Sequence, residues 1–191
     1  EIEPYSHDPE RARQLLAEAG FPNGFDTELW AMPAPRPYMP QPEKIAQAIQ
    51  ADLAQVGIRA RIVTLEWATY LDKVFSGQHD MCLLGWTGDN GDPDNFLYVL
   101  LDKTAAVKPA QNVAFYKSDR LHELLVEARI ESDIDRRTKL YREAQALIHH
   151  DAPWVPLVHA TQTAAFRRGI DGFQLHPTGS KWFQHTRLAI P

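Results

Sequence analysis

The 191-residue chain has a single cysteine, Cys82. One thiol allows no internal disulfide, so cysteine usage does not reveal the redox compartment. Cys82 lies in an apolar stretch and reads as a small buried hydrophobe. No apolar run approaches the ~20 residues a membrane span needs. Basic residues are in deficit, 20 Lys and Arg against 25 Asp and Glu, for a net charge of −5. With no basic patch, nucleic acid is not an expected partner. Glu1-Ile2-Glu3-Pro4 is neither a signal peptide nor a start with Met. The chain opens almost directly onto a helix, so a processed piece of a longer protein is expected. A missing leader then says nothing of where the parent resides.

Reaction chemistry is equally scarce. There is no Gly-x-Ser-x-Gly elbow, and Cys82 has no His in a convincing nearby loop. Neither Gly-x-Gly-x-x-Gly nor a P-loop occurs, so no phosphate cradle is expected. Asn90, Asp92 and Asp94 alternate as calcium-loop ligands do, but Asn95 stands where Gly is needed and Leu101 where Glu is needed. His149 and His150 are adjacent on a helix, about 100° apart, and do not chelate one ion. No metal site and no cofactor is expected. No internal repeat or low-complexity tract is visible.

What is present is the composition of a globular domain, 44% hydrophobic and 24% charged, long enough for a real core. The informative stretch is Leu83-Leu84-Gly85-Trp86-Thr87-Gly88-Asp89-Asn90-Gly91-Asp92-Pro93-Asp94-Asn95-Phe96. An apolar strand runs into a loop of Gly, Asn and Asp, then into a short helix. Asp92 suits the cap and Pro93 the first turn. Asn90-Gly91 reads as a tight turn. Turn and cap chemistry leave Gly85, Trp86 and Asp89 without a purpose. An aromatic and a carboxylate at the mouth of a buried strand suggest a binding site.

The remaining pattern alternates. A capped helix follows Asp8, and residues 25–31 alternate as a strand. A Pro-rich loop, residues 32–42, carries Arg36 between Pro35 and Pro37. Helix, strand and helix follow over 43–56, 58–65 and 66–76. A strand is expected over 79–86 and a helix over 93–101, then a loop over 104–113. Two long helices, 118–130 and 133–150, precede strands expected at 154–160 and 163–167. The tail from Gly169 is turn-rich. The order β–α–β–α–β–α predicts an α/β fold, a mixed sheet flanked by helices with some parallel pairing. Ligands in such sheets sit beyond the carboxyl ends of strands. Arg36 and the Trp86–Asp89 loop both follow strands.

Each residue alone has an ordinary explanation: a solvated arginine, a core tryptophan, a turn aspartate. Together, a fixed cation, a fixed anion and an aromatic platform suit a zwitterion. An extended dipeptide spans ~7 Å. Arg takes a carboxylate bidentately and Asp takes an ammonium. Binding is therefore favoured over catalysis. A small α/β hydrolase with Asp89 or Asp92 as base would need a second titratable partner within hydrogen-bond reach.

At these residues the chain resembles the periplasmic dipeptide-binding proteins, the peptide/nickel class of solute-binding proteins for ABC importers. The run Gly85 to Phe96 carries the likeness. Arg36-Pro37-Tyr38, residues 49–57 and Thr64-Leu65-Glu66-Trp67 support it. The likeness extends over essentially the whole chain. It implies that Asp89 holds a peptide ammonium and Arg36 its carboxylate, with Trp86 and Thr87 lining a roomy pocket. Haem or glutathione capture is the alternative within the class. The implied partners are a short peptide and an inner-membrane permease, and the implied location is periplasmic or lipid-anchored outside the cytoplasm. Family members are longer and two-lobed, closing on ligand about a hinge. The resemblance implies that residues 1–160 are part of the C-terminal ligand-binding lobe of a periplasmic-binding-protein-like fold. Residues 161–191 are then a return segment that packs on the N-terminal lobe. Separated from that lobe, the tail is expected to be poorly ordered, repacked or paired in a fragment dimer.

Overall fold

The computed structural model describes residues 2–176 and 178–188. Helix α1 (Pro9–Glu18) starts where Asp8 accepts a hydrogen bond from the Arg11 N–H at 2.9 Å. It buries no side chain and leans on the rest through Arg13, which donates to the Gln55 carbonyl. Strand β1 (Phe25–Ala31) follows, then helix α2 (Pro42–Gln55), with Pro42 in its first turn. Strand β2 (Ile58–Thr64) leads to helix α3 (Trp67–Phe75), capped by Glu66, whose carboxylate accepts from the Ala68 and Thr69 N–H groups.

Strand β3 (Met81–Cys82) is shorter than the expected 79–86. It pairs with β1 at Leu29 and Trp30, and Leu83 N–H adds one more bond to the Trp30 carbonyl at 2.9 Å. Pairing stops there, where β1 itself ends at Ala31. The buried Tyr70 hydroxyl instead serves both chain ends, at 2.7 Å from the Leu83 carbonyl and 3.1 Å from that of Trp30.

The sheet has the order β2-β1-β3, and both pairings are parallel. Its α/β layering is as expected. Antiparallel pairing occurs separately, in the tail, where β4 (Ile170–Asp171) pairs with β7 (Arg187–Leu188) and β5 (Gln174–Leu175) with β6 (Lys181–Trp182). Leu29, Trp30, Met32, Ala46, Tyr70 and Val74 form one core between the sheet and its helices.

A second core is helical. Helix α4 (Asp94–Leu101) packs on the hairpin of α5 (Asp119–Ile130) and α6 (Ile134–Asp151) around Leu101, Leu121, Leu124, Leu125 and Tyr141. Ser118 and Asp133 cap the hairpin helices through Leu121 N–H and Arg136 N–H. The expected 104–113 loop holds a short 3-10 turn, Lys103–Ala106. Asp102 starts it by accepting from the Thr104 N–H at 2.8 Å.

The strands expected at 154–160 and 163–167 are absent. Pro153 and Pro156 remove two backbone donors, and no described neighbour supplies a ladder. Val155 and Val158 remain 79% and 63% exposed. No helix of the described residues is long and apolar enough to cross a membrane.

Candidate functional site

Parallel pairing sends β1 and β3 in the same direction, so the loops after them leave by the same edge. The first loop closes on itself. Arg36 and Met39 exchange two backbone hydrogen bonds, 3.0 and 2.9 Å, around Pro37-Tyr38. Pro37 fits the fixed φ of such a turn. The turn presents the Arg36 guanidinium over the Trp67 ring, 3.9 Å from its centroid. Trp67 is in turn stacked on Tyr70, with centroids 5.6 Å apart. Arg36 Nε is buried and has no hydrogen-bond partner among the described residues.

The two loops touch through a glycine. A Cβ on Gly85 would lie 2.4 and 2.5 Å from the Tyr38 ring carbons Cδ2 and Cε2. Only a hydrogen at that position lets Tyr38, two residues from Arg36, lie flat on the strand that carries Trp86. Gly88 does the same for Phe96, whose Cε2 would meet a Cβ at 2.7 Å.

Beyond Gly85, Trp86 is half-buried, while Thr87 and Asp89 are exposed. Asn95, in the first turn of α4, joins them. Its side-chain carbonyl accepts from the Trp86 indole N–H and from the Asp89 backbone N–H, both at 3.0 Å. Its amide group donates to Asp89 Oδ2 at 3.3 Å. Asp89 has no cationic partner among the described residues. Trp67 and Asn95 carry the site's local order, and sequence reasoning assigned neither a role. Asn95 stands in the run that carries the family likeness and at a position where a calcium loop needs Gly, with no role of its own. A signal was available, in that both sit in the first turn of a helix entered from a strand end.

Asp92 has a different task. Its Oδ1 accepts from the Asp94 N–H at 2.9 Å, but the cap position expected of it is taken by Pro93, one residue further on. Both its oxygens also meet Arg137 of α6, each at 2.9 Å. The Arg137 hydrogen bonds hold its carboxyl below the usual carboxylate range, against the burial that raises it. Asp92 thus fastens the loop to the helical hairpin and leaves Asp89 as the free carboxylate. Cys82 is half-buried, and its desolvation pushes the thiol up to about 12, far from a reactive thiolate. No group of three or more His, Cys, Asp or Glu able to hold a metal occurs among the described residues.

Two recesses are open to solvent. One of about 300 Å³ lies at the strand ends beside Met32, Pro33, Pro35 and Thr64. Another of about 500 Å³ lies away from the edge, between α2 and β2, along Gln50, Ala54 and Ile58. In open α/β sheets ligands sit beyond the carboxyl ends of the strands, the edge from which both loops leave.

Comparison with known proteins agrees. Residues 1–108 match the family described as bacterial extracellular solute-binding proteins, family 5 middle. The Escherichia coli K12 dipeptide-binding protein is 39% identical over 188 residues, 98% of this chain and 35% of that protein. Heme-binding protein A of Haemophilus influenzae is 41% identical over 179 residues, 94% of this chain and 32% of that protein. The crystal structure of the dipeptide-binding protein of Pseudoalteromonas sp. SM9913 with Met-Leu superposes with a TM-score of 0.84 at 36% identity, covering 95% of this chain and 36% of that one. The chain belongs to the family 5 bacterial extracellular solute-binding proteins. It spans about a third of the length of these relatives.

Proposed function

We propose that this chain is the C-terminal ligand-binding portion of a solute-binding protein that captures dipeptides and other short peptides and delivers them to an ABC permease. Arg36 takes the peptide carboxylate and Asp89 its ammonium, while Trp86 and Thr87 line the space between. The observation that carries this reading is the pair of unspent charges. A guanidinium is held by stacking with its Nε unpartnered, and a carboxylate on the neighbouring loop meets only an amide. Opposite charges kept apart suit a ligand that bears one of each.

The same features support capture over catalysis. Asp89 faces Asn95 and Asp92 faces Arg137, and neither has the second acid or base that a hydrolytic step requires. The protein acts outside the cytoplasm, free in a periplasm or anchored by lipid. We also propose that residues 1–160 belong to one lobe and residues 161–191 pack on the remainder of the parent. Pro177 and residues 189–191 of that segment lie outside the described residues.

Haem is the second reading, because the Haemophilus influenzae relative is a heme-binding protein by name. Calorimetric titration of the full-length parent separates the two. A free dipeptide is expected to bind, and N-acetylation or C-amidation to weaken it. Arg36→Met or Asp89→Asn is expected to cost about 10- to 100-fold, as loss of a charge-assisted hydrogen bond does. Affinity that survives blocking both ends, or that appears only with haem or glutathione, overturns the site assignment.

A further inference from the structure

We infer that Asn95 is the positioning residue of the ammonium subsite, a single amide that fixes the anion and the aromatic wall relative to each other. The inference rests on the reading of Asp89 above. Three hydrogen bonds converge on this one side chain, and no other described side chain is hydrogen-bonded to both Trp86 and Asp89. Its carbonyl oxygen takes the Trp86 indole N–H and the Asp89 backbone N–H, each at 3.0 Å. These bonds use both of the oxygen's lone pairs. Its NH2 group then has one direction left toward the loop, and it donates to Asp89 Oδ2 at 3.3 Å.

The consequence is a division of the Asp89 carboxylate. Oδ2 is oriented by Asn95, and Oδ1 has no partner among the described residues and is left for a ligand cation. Asp89 itself is exposed, so burial does nothing to hold its rotamer. Without Asn95 the carboxylate is free to swing, and a ligand must order it on binding. The indole is restrained by the same oxygen, so aromatic wall and anion move together or not at all.

The amide is held in turn from outside the site. Asn95 sits in the first turn of α4, and its backbone N–H bonds to the Asp92 carbonyl at 3.1 Å. Asp92 is locked by Arg137. The helical hairpin thereby reaches the binding edge through Arg137, Asp92 and Asn95 in sequence.

The test is calorimetry on the full-length parent and three variants, Asn95→Ala, Asp89→Asn and the double variant. Each is titrated with a free dipeptide and its N-acetyl derivative, with thermal midpoints recorded. Asn95→Ala is expected to weaken the free dipeptide about tenfold, as loss of one oriented charge contact does. It is expected to weaken the N-acetyl derivative less, through the freed indole alone, and to cost less in the Asp89→Asn background. Asn95→Asp keeps the acceptor for both N–H groups but sets a second carboxylate beside Asp89. It serves as a further variant should the alanine lower the midpoint, and it too is expected to weaken the free dipeptide selectively. Equal losses for both ligands, or losses that add fully in the double variant, overturn the positioning role. If Asp89→Asn alone has no effect, the reading of Asp89 is wrong, whatever Asn95 does.

Discussion

Asp102 is fully buried, yet it is an acid. Burial alone would raise its carboxyl, but hydrogen bonds from the Thr104 hydroxyl and N–H, and then from His122 Nδ1, outweigh burial and hold it below its ordinary value of 3.8. A carboxyl lowered on folding adds stability above its unfolded value and loses it as the pH falls through the folded one. The expected outcome is a urea-unfolding free energy that falls below about pH 4. Asp102→Asn should be less stable by about 1–3 kcal/mol at pH 6, with the gap closing toward pH 3. A gap that stays constant over that range would mean the charge of Asp102 contributes nothing. The sequence offered little warning of this network. Asp102 ends an apolar helix and His122 lies twenty residues on, and only the fold brings α5 against the 3-10 turn. Arg36, Trp86 and Asp89 were legible because stereochemistry left each without a local purpose. Trp67 and Asn95 were not, because each has an ordinary helix-start reading.

Among the elements, those set by local chemistry follow the sequence closely. Caps at Asp8, Ser118 and Asp133 are side-chain bonds to backbone a few residues away, and such signals lie wholly within a short window. Strands depend on a partner, and there the sequence misleads. β3 ends early because its partner ends at Ala31, and residues 154–160 have no described neighbour to pair with. The contact that aligns the two site loops is also non-local. Gly85 reads as an isolated glycine in a strand, and only the fold lays Tyr38 across it. Gly85→Ala is therefore expected to push the Tyr38 ring away and to cost about 1–3 kcal/mol, as overpacking does. Because Tyr38 belongs to the four-residue turn of Arg36, dipeptide affinity in the full-length parent should fall as well. Thermal unfolding and calorimetry on the same variant check both effects. A stable variant with unchanged affinity would show that the Tyr38 contact does not set the Arg36 turn.

For the whole molecule, two cores are well formed while the last fifth of the chain contributes little to either. The sheet core and the helical core account for most of the buried hydrophobes. Beyond Trp154, large apolar side chains face outward, with Val155 and Phe183 79% and 64% exposed. Among the described residues the tail pairs only with itself, in two short antiparallel ladders. Such a surface is costly in water and is normally covered. The relatives it matches are about three times as long, and the proposed boundary assigns the covering to the rest of the parent. Amide exchange measured on this chain alone and on the full-length parent decides the matter. In the chain alone, residues 155–168 have no regular pairing and should exchange near the unprotected rate. In the parent they should slow by at least about a hundredfold, while α5 and α6 keep similar protection in both, since their core is complete within this chain. Equal exchange at 155–168 in the two samples would place the tail outside any interface with the remaining lobe and move the boundary proposed at residue 161.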